Sequence, residues 1–251
     1  MRRVDIVYHL AANPDVRFYE AAPTDRDLRQ NVLATYNVLD AMRRQGPRRL
    51  VFTSTSAVYG LPERLPISED GQAPRPISLY GATKLSAEAL ISAFSHLFGI
   101  RSWIFRLANI VGPKSRRYGA TVLGDFIARL RRNPCRLEIL GNGRQAKSYL
   151  SAGECIEAML FAVERSEGTL NVFNIGCDDS ITVRRIAELV VGEMGLGAVE
   201  FEFGSGEGGW PGDVPRFRLD VARINRLGWT AKQNSEQAVR QAIQGLLRAE
   251  L

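Results

Sequence analysis

The chain has 251 residues, 45% of them hydrophobic and 24% charged, with a net charge of +6. That is room for one large globular domain or two small ones. No run of 18 apolar residues exists, which excludes a spanning helix, and Asp5 interrupts the first apolar stretch, so the N-terminus reads as a strand rather than a signal peptide. The positive charge would suit a nucleic-acid partner, but the arginines are scattered along helices with acids between them. The densest cluster, Lys114-Ser115-Arg116-Arg117, has no stacking aromatic beyond Tyr118. A solvated basic face, or attraction for a diphosphate, is the better reading. Cys135, Cys155 and Cys177 are widely spaced and odd in number, which points to a reducing cytoplasm and to neither a disulfide framework nor a metal site.

In chain order, Val4–Leu10 reads as a buried parallel strand broken only by Asp5 and His9. Ala11-Ala12-Asn13-Pro14 turns after it. Small residues there let the backbone approach a ligand at the carboxyl end of a parallel sheet, or serve only a tight turn. Asp25–Arg44 is helical in period, with Leu28, Val32, Tyr36, Leu39 and Met42 on one side, and Gly46-Pro47 ends it. Leu50–Thr55 is a strand and Leu61–Ser78 a surface loop. A helix follows to about Phe98, stopped by Gly99. Its start carries Tyr80 and Lys84, four residues apart on one face. A lysine beside a tyrosine favours the phenolate, and such a tyrosine can act as a general base. Taken alone, Tyr-x-x-x-Lys is also a common surface pair. Arg101–Leu107 is a strand and Ala120–Arg132 an amphipathic helix, and Gly141-Asn142-Gly143 turns. Gly153–Val163 is a helix, Leu170–Ile175 a strand returning to the main sheet, and Ile181–Glu193 and Ser235–Arg248 are helices. The run Gly204–Gly209 lacks the strand-turn-helix context of a phosphate loop and reads as a flexible substrate flap.

Five ordered segments carry a resemblance: His9-Leu10-Ala11-Ala12-Asn13, Leu50–Gly60, Tyr80-x-x-x-Lys84, Arg106–Pro113 and Trp210-Pro211-Gly212-Asp213-Val214. Together they resemble the extended short-chain dehydrogenase/reductase family in its nucleotide-sugar epimerase/dehydratase branch, most of all the UDP-glucose 4-epimerases. The resemblance implies an α/β fold: a Rossmann-like parallel sheet in 1–110, with 151–178 returning to it, and a smaller substrate domain in 111–150 and 179–251. It implies NAD as cofactor, along Leu10, Ala11, Ala12, Asn31, Thr53, Tyr80, Lys84 and Leu107. For Asn31 a purely structural role is an equal alternative, since a buried amide needs partners. Tyr80 would be the base, Lys84 would lower its pKa and bind the cofactor ribose, and Thr55 would orient the sugar 4-hydroxyl. The substrate would meet Asn109, Val122, Lys147, Asp213 and Phe217, Val122 being equally well read as core. A homodimer through Asp25–Arg44 and Tyr80–Phe98 is implied as well, with no nucleic-acid or membrane partner.

Four departures matter. Ser56 and Ala57 stand where the related dehydratases have carboxylates, which argues for simple epimerisation. Lys147 and Trp210 stand where relatives place arginines on the diphosphate, and a lysine lacks the bidentate fork. The Gly-x-x-Gly-x-x-Gly opening of the fold is missing, as if the chain began at the fourth strand, leaving Val4–Leu10 as an exposed apolar edge. The implied function is NAD-dependent epimerisation at C4 of a UDP-hexose, with glucose/galactose favoured because Phe217 would crowd an N-acetyl group. The alternatives are a UDP-glucuronate epimerase, another nucleotide-sugar oxidoreductase, or a non-catalytic truncated member.

Overall fold

A computed structural model describes residues 4–13, 25–112 and 121–249. Pro14, the segment Lys114–Arg117 and Tyr118 lie outside the described residues. In chain order the elements are β1 (Val7–His9), α1 (Asp25–Asp27), a π-helical turn (Leu28–Leu33), α2 (Ala34–Gln45), β2 (Arg49–Thr55), a 3-10 turn (Ser56–Tyr59), α3 (Leu79–Phe98), β3 (Arg101–Leu107), β4 (Asn109–Val111) and α4 (Val122–Arg132). There follow β5 (Arg136–Ile139), β6 (Ala146–Lys147), β7 (Tyr149–Ser151), α5 (Ala152–Arg165), β8 (Leu170–Ile175), β9 (Ile181–Thr182), α6 (Val183–Glu193), β10 (Glu200–Phe203), β11 (Arg216–Phe217), α7 (Ala222–Leu227) and α8 (Ser235–Arg248). They group into two compact units. Unit 1 is Met1–Leu107, Ala158–Ile175 and Asp220–Thr230; unit 2 is Ala108–Glu157, Gly176–Leu219 and Ala231–Leu251.

Unit 1 holds a four-stranded sheet in the order β1-β2-β3-β8, parallel throughout. Strand alternation decides which side chain meets which layer. Leu50 and Phe52 of β2 and Ile104 of β3 point to one face, where Leu39 and Met42 of α2 and Ala87 and Ile91 of α3 close a core with Ile100. The intervening Trp103 and Phe105 serve the other face: the Trp103 indole donates to Ser166 Oγ at 2.7 Å, and the Phe105 and Phe173 rings stack at 6.1 Å. Fully burying side chains of this size stabilises by roughly 1.5–3 kcal/mol each. The first strand differs from the buried one expected. It has three residues at the edge of the sheet, with Tyr8 43% and Leu10 53% exposed.

One polar cluster interrupts this core. Arg106 at the end of β3 meets Glu88 of α3, its Nη2 2.8 Å and its Nε 3.2 Å from Oε2. Ser54 Oγ donates to the same carboxylate. Arg106 Nη1 reaches Tyr59 Oη at 3.0 Å, and Tyr59 donates to Asn174 Oδ1 at 2.7 Å. Asn174 Nδ2 donates in turn to the carbonyl of Ile67, so the stretch expected as a plain surface loop is tied to the sheet through the buried Ile67 and Glu69.

Unit 2 is built from short pairs: β4 with β7 and β5 with β10, both parallel, and β6 between β11 and β9. Phe126 and Ile127 of α4, Ile186 and Val190 of α6, and Val239 and Ile243 of α8 make its core. Helix α8 begins where its sequence provides for it: Asn234 caps Gln237, and the Gln237 side chain caps Asn234 in return.

Candidate active site

Helix α3 starts because the Ser78 hydroxyl accepts from Gly81 N–H at 3.1 Å, a side-chain N-cap. This sets Tyr80 in the first turn and Lys84 one turn on. Gly81 is required between them. A Cβ there would lie 2.6 Å from the carbonyl oxygen of Ala57, so only glycine lets this turn rest on the 3-10 turn. The contact brings Tyr80 to the end of β2, where its phenol and the Thr55 hydroxyl hydrogen-bond. Thr55 also accepts from Ala57 N–H at 3.2 Å.

The protonation of this pair differs from the sequence expectation. The Tyr80 phenol is pushed up from its ordinary value, chiefly by burial and further by the Asp27 carboxylate, against a lowering by Thr55. Lys84 is not among the groups that shift it. The Lys84 ammonium lies 3.9 Å from the centre of the Phe52 ring, and burial pushes it down to about 8, with Glu88 opposing. Among the described residues it makes no hydrogen bond within the protein. A nearly buried amine with three donors and one aromatic neighbour suits a pair of ribose hydroxyls, so these residues fit the dinucleotide that the motif implies.

A second set of polar side chains converges on the same turn of α3. Asn31 sits in the π-helical turn, a feature often found at functional sites. Its Nδ2 donates to Thr83 Oγ1 at 3.0 Å, and Thr83 donates to the Tyr80 carbonyl at 3.1 Å. Asn31 Oδ1 accepts from Asn13 N–H at 2.9 Å, and Asn13 Nδ2 donates to Asp27 Oδ1 at 2.9 Å. Thr35 Oγ1 donates its proton to the Asn31 carbonyl at 2.6 Å, so it accepts from His9 Nε2 at 2.9 Å, and the neutral His9 carries its proton on Nε2. Asp27, Asn13, Thr83 and Phe52 are the residues that the motif reading passed over. Thr83 lies inside Tyr-x-x-x-Lys and Asn13 directly after Ala12, which is the only local signal they carry.

Leu10, Ala11 and Ala12 follow β1 in irregular structure, the first two exposed. Thr53 and Leu107, both half-buried, lie toward the carboxyl ends of β2 and β3, where Thr55 and Leu107 are register partners. Open parallel sheets bind ligands at those ends.

In unit 2, Asn109 opens β4; its N–H donates to the Ser148 carbonyl at 3.2 Å and its side chain hydrogen-bonds the Tyr149 hydroxyl. Lys147 and Asp213 pair with each other, Nζ to Oδ1 at 2.5 Å, and the ammonium lies 5.2 Å from the Trp210 ring centre. Asp213 Oδ2 also accepts from Gly209 N–H at 2.9 Å. The glycine run is therefore held rather than loose: Gly204 N–H reaches the Ile139 carbonyl and Gly206 O accepts from Asn142 N–H. Val122 opens α4 and packs against the unit 2 core, and Phe217 is buried in β11 opposite Lys147. Among the described residues no group of His, Cys, Asp and Glu is arranged to hold a metal ion.

A parallel sheet with a tyrosine on a strand-end threonine and a buried lysine one turn later fits the dinucleotide-dependent class that the sequence resembles. The chain belongs to the NAD dependent epimerase/dehydratase family, which matches residues 1–176. It is 32% identical to the UDP-glucose 4-epimerase of Azospirillum brasilense over 254 residues, 92% of this chain and 70% of that protein. It resembles a crystal structure of a UDP-galactose 4-epimerase with a TM-score of 0.86 and 35% identity, over 98% of this chain and 78% of that one. The Thermus thermophilus UDP-glucose 4-epimerase in complex with NAD is similar too, with a TM-score of 0.85 and 29% identity, over 98% of this chain and 79% of that one.

Proposed function

We propose that the chain is an NAD-dependent epimerase acting at C4 of a UDP-hexose, with UDP-glucose and UDP-galactose as the substrate pair. The observation that carries this is Tyr80 bonded to Thr55 with Lys84 one turn along α3, in a chain of the epimerase family. Tyr80 accepts the proton of the sugar 4-hydroxyl, which Thr55 orients. Lys84 holds the cofactor ribose with its ammonium donors. Leu10, Ala11, Ala12, Asn31, Thr53 and Leu107 line the cofactor. Bound NAD supplies the hydride acceptor, and then the donor, for C4. Asn109, Val122, Lys147, Asp213 and Phe217 hold the nucleotide-sugar. For Lys147 and Asp213 this means exchanging their mutual bond for the diphosphate and the ribose. Ser56 and Ala57 offer no carboxylate for elimination at C6, so the keto sugar is returned rather than dehydrated.

The reading includes a homodimer in the cytoplasm, serving galactose metabolism. Leu33 just before α2, Tyr36 in its first turn and Leu97 at the end of α3 are exposed apolar side chains on the two helical segments that would pair. Cys135, Cys155 and Cys177 form no disulfide among the described residues. No helix among the described residues is long and apolar enough to cross a membrane. Light scattering that returns a monomer would remove the dimer.

The deciding experiment is conversion of UDP-galactose to UDP-glucose by the purified chain with NAD, next to Tyr80→Phe. General acid–base catalysis is worth about a hundred- to ten-thousandfold, and the variant should lose at least that while melting like the wild type. Equal turnover by the two proteins would remove Tyr80 from the chemistry. Turnover of UDP-glucuronate alone would move the substrate, not the reaction class.

A further inference from the structure

The Lys84 ammonium raises a question the motif does not answer: what keeps a charge in a nearly buried place. The acid one turn further on, Glu88, is engaged elsewhere. Both its oxygens take Arg106, and Ser54 donates to one of them. Tyr80 on the same helix is bonded to Thr55. His9, facing from β1, donates to Thr35 and is kept neutral by burial and by Lys84 itself. What does meet the ammonium is the Phe52 ring face, 3.9 Å from centre to Nζ. A cation within about 6 Å of a ring centroid is attracted by the ring quadrupole, most strongly when desolvated.

We propose that Phe52 is a positioning residue for Lys84: its ring face seats the ammonium and holds it charged beside Tyr80. The ring is itself immobilised. It is a fully buried member of the core that α2 and α3 close, and the His9 ring leans on it at 5.5 Å and 39°. The surrounding Leu50, Ile91 and Ile104 would accept a leucine or an isoleucine at this position equally well as filler. Only an aromatic ring adds a seat for a cation. Phe52 acts through Lys84 and touches neither substrate nor cofactor. The inference rests on the functional reading only for what Lys84 goes on to do.

The chain has four lysines, Lys84, Lys114, Lys147 and Lys232, so isotope-labelled lysine ε-carbons give few resonances, and Lys84→Arg identifies the one that matters. Mono-, tri- and pentafluorophenylalanine inserted at position 52 keep the shape of the ring while withdrawing the negative potential of its face. The Lys84 titration midpoint should fall stepwise along the series, by about one pH unit at the end, which is tenfold in the protonation equilibrium. The other three lysines should not move, and the affinity for NAD at pH 7.5 should fall with the midpoint. Phe52→Leu should resemble the pentafluoro protein. A Lys84 midpoint that stays constant while all the proteins remain folded would reduce Phe52 to core packing and overturn the proposal. The titration needs no turnover: a chain without epimerase activity whose Lys84 still follows the series would defeat the functional reading and leave this one standing.

Discussion

The Glu88–Arg106 pair offers the sharpest test of how unit 1 is held together. Both side chains are buried, 6% and 9% exposed, and joined by three N–O contacts of 2.8–3.2 Å. Removing two charges from water costs several kcal/mol each, and such a pair recovers that cost only while both partners are present. Glu88→Ala therefore strands a guanidinium that keeps Tyr59 Oη and the Glu69 carbonyl but no counter-charge. Breaking a buried pair from one side costs about 3–5 kcal/mol. At about 2–4 °C per kcal/mol for a chain of this size, the melting temperature should drop by roughly 6–20 °C. The double variant Glu88→Leu with Arg106→Met removes both charges at similar volume. Tyr59 keeps its bond to Asn174, while Ser54 loses its acceptor and the Glu69 carbonyl its Arg106 donor, a loss of about 1–3 kcal/mol. Thermal unfolding followed by circular dichroism should thus rank the double variant close to wild type and the single one far below. If the two melt together, the pair is not a closed unit and the accounting is wrong. Lys84 gives a second readout in the stable double variant. Glu88 is the carboxylate that raises it, so the alkaline limb of activity should move to lower pH.

Lys84 itself should show function held against stability. Burial lowers it from 10.5 to about 8, so the folded chain releases its proton before the unfolded chain does. Its burden on stability is complete below pH 8 and is relieved as pH rises from about 8 to 10.5. Lys84→Met should therefore be inactive yet more stable than wild type at pH 7, by up to about 3 kcal/mol, with the advantage shrinking across that window. Urea titrations at pH 7 and 10 decide it; a variant less stable than wild type at pH 7 contradicts the sign. In unit 2, Lys147→Ala leaves the Asp213 carboxylate, 4% exposed, with the Gly209 N–H but without its cation. It should cost about 3 kcal/mol in a urea melt, most of it recovered when Asp213→Ala is added. A single variant as stable as the double would mean that solvent already compensates the carboxylate.

The parts legible in the sequence are those with short-range causes. Arg101–Leu107 is a strand as read, since a run of apolar and β-forming residues between turn signals has few other uses. Ser235–Arg248 begins and ends as read because its caps are local, and Gly46 and Gly99 stop their helices at positive φ, 104° and 64°. The π-helical turn was not legible. Leu28–Leu33 turns Asn31 inward and leaves Leu28 and Tyr36 of the expected apolar side exposed, and what it serves, Asn31 on Thr83, lies 52 residues away. The Lys147–Asp213 bond spans 66 residues, and nothing near either residue announces the other. Family resemblance gave each of the two its own role toward a substrate, with no hint that they satisfy one another.

Phe52 shows the limit most clearly. Alternation along β2 marks it as a core residue, and it is one. Nothing in the strand says that the side chain above the ring is a lysine 32 positions later. The motif carries the reacting groups, while the groups that hold their charge and direction are set by layer packing. A sequence that kept Tyr80, Thr55 and Lys84 but placed an aliphatic residue at 52 would still read as an epimerase. By the argument above it would hold its lysine less charged, and it would titrate out of activity at a lower pH.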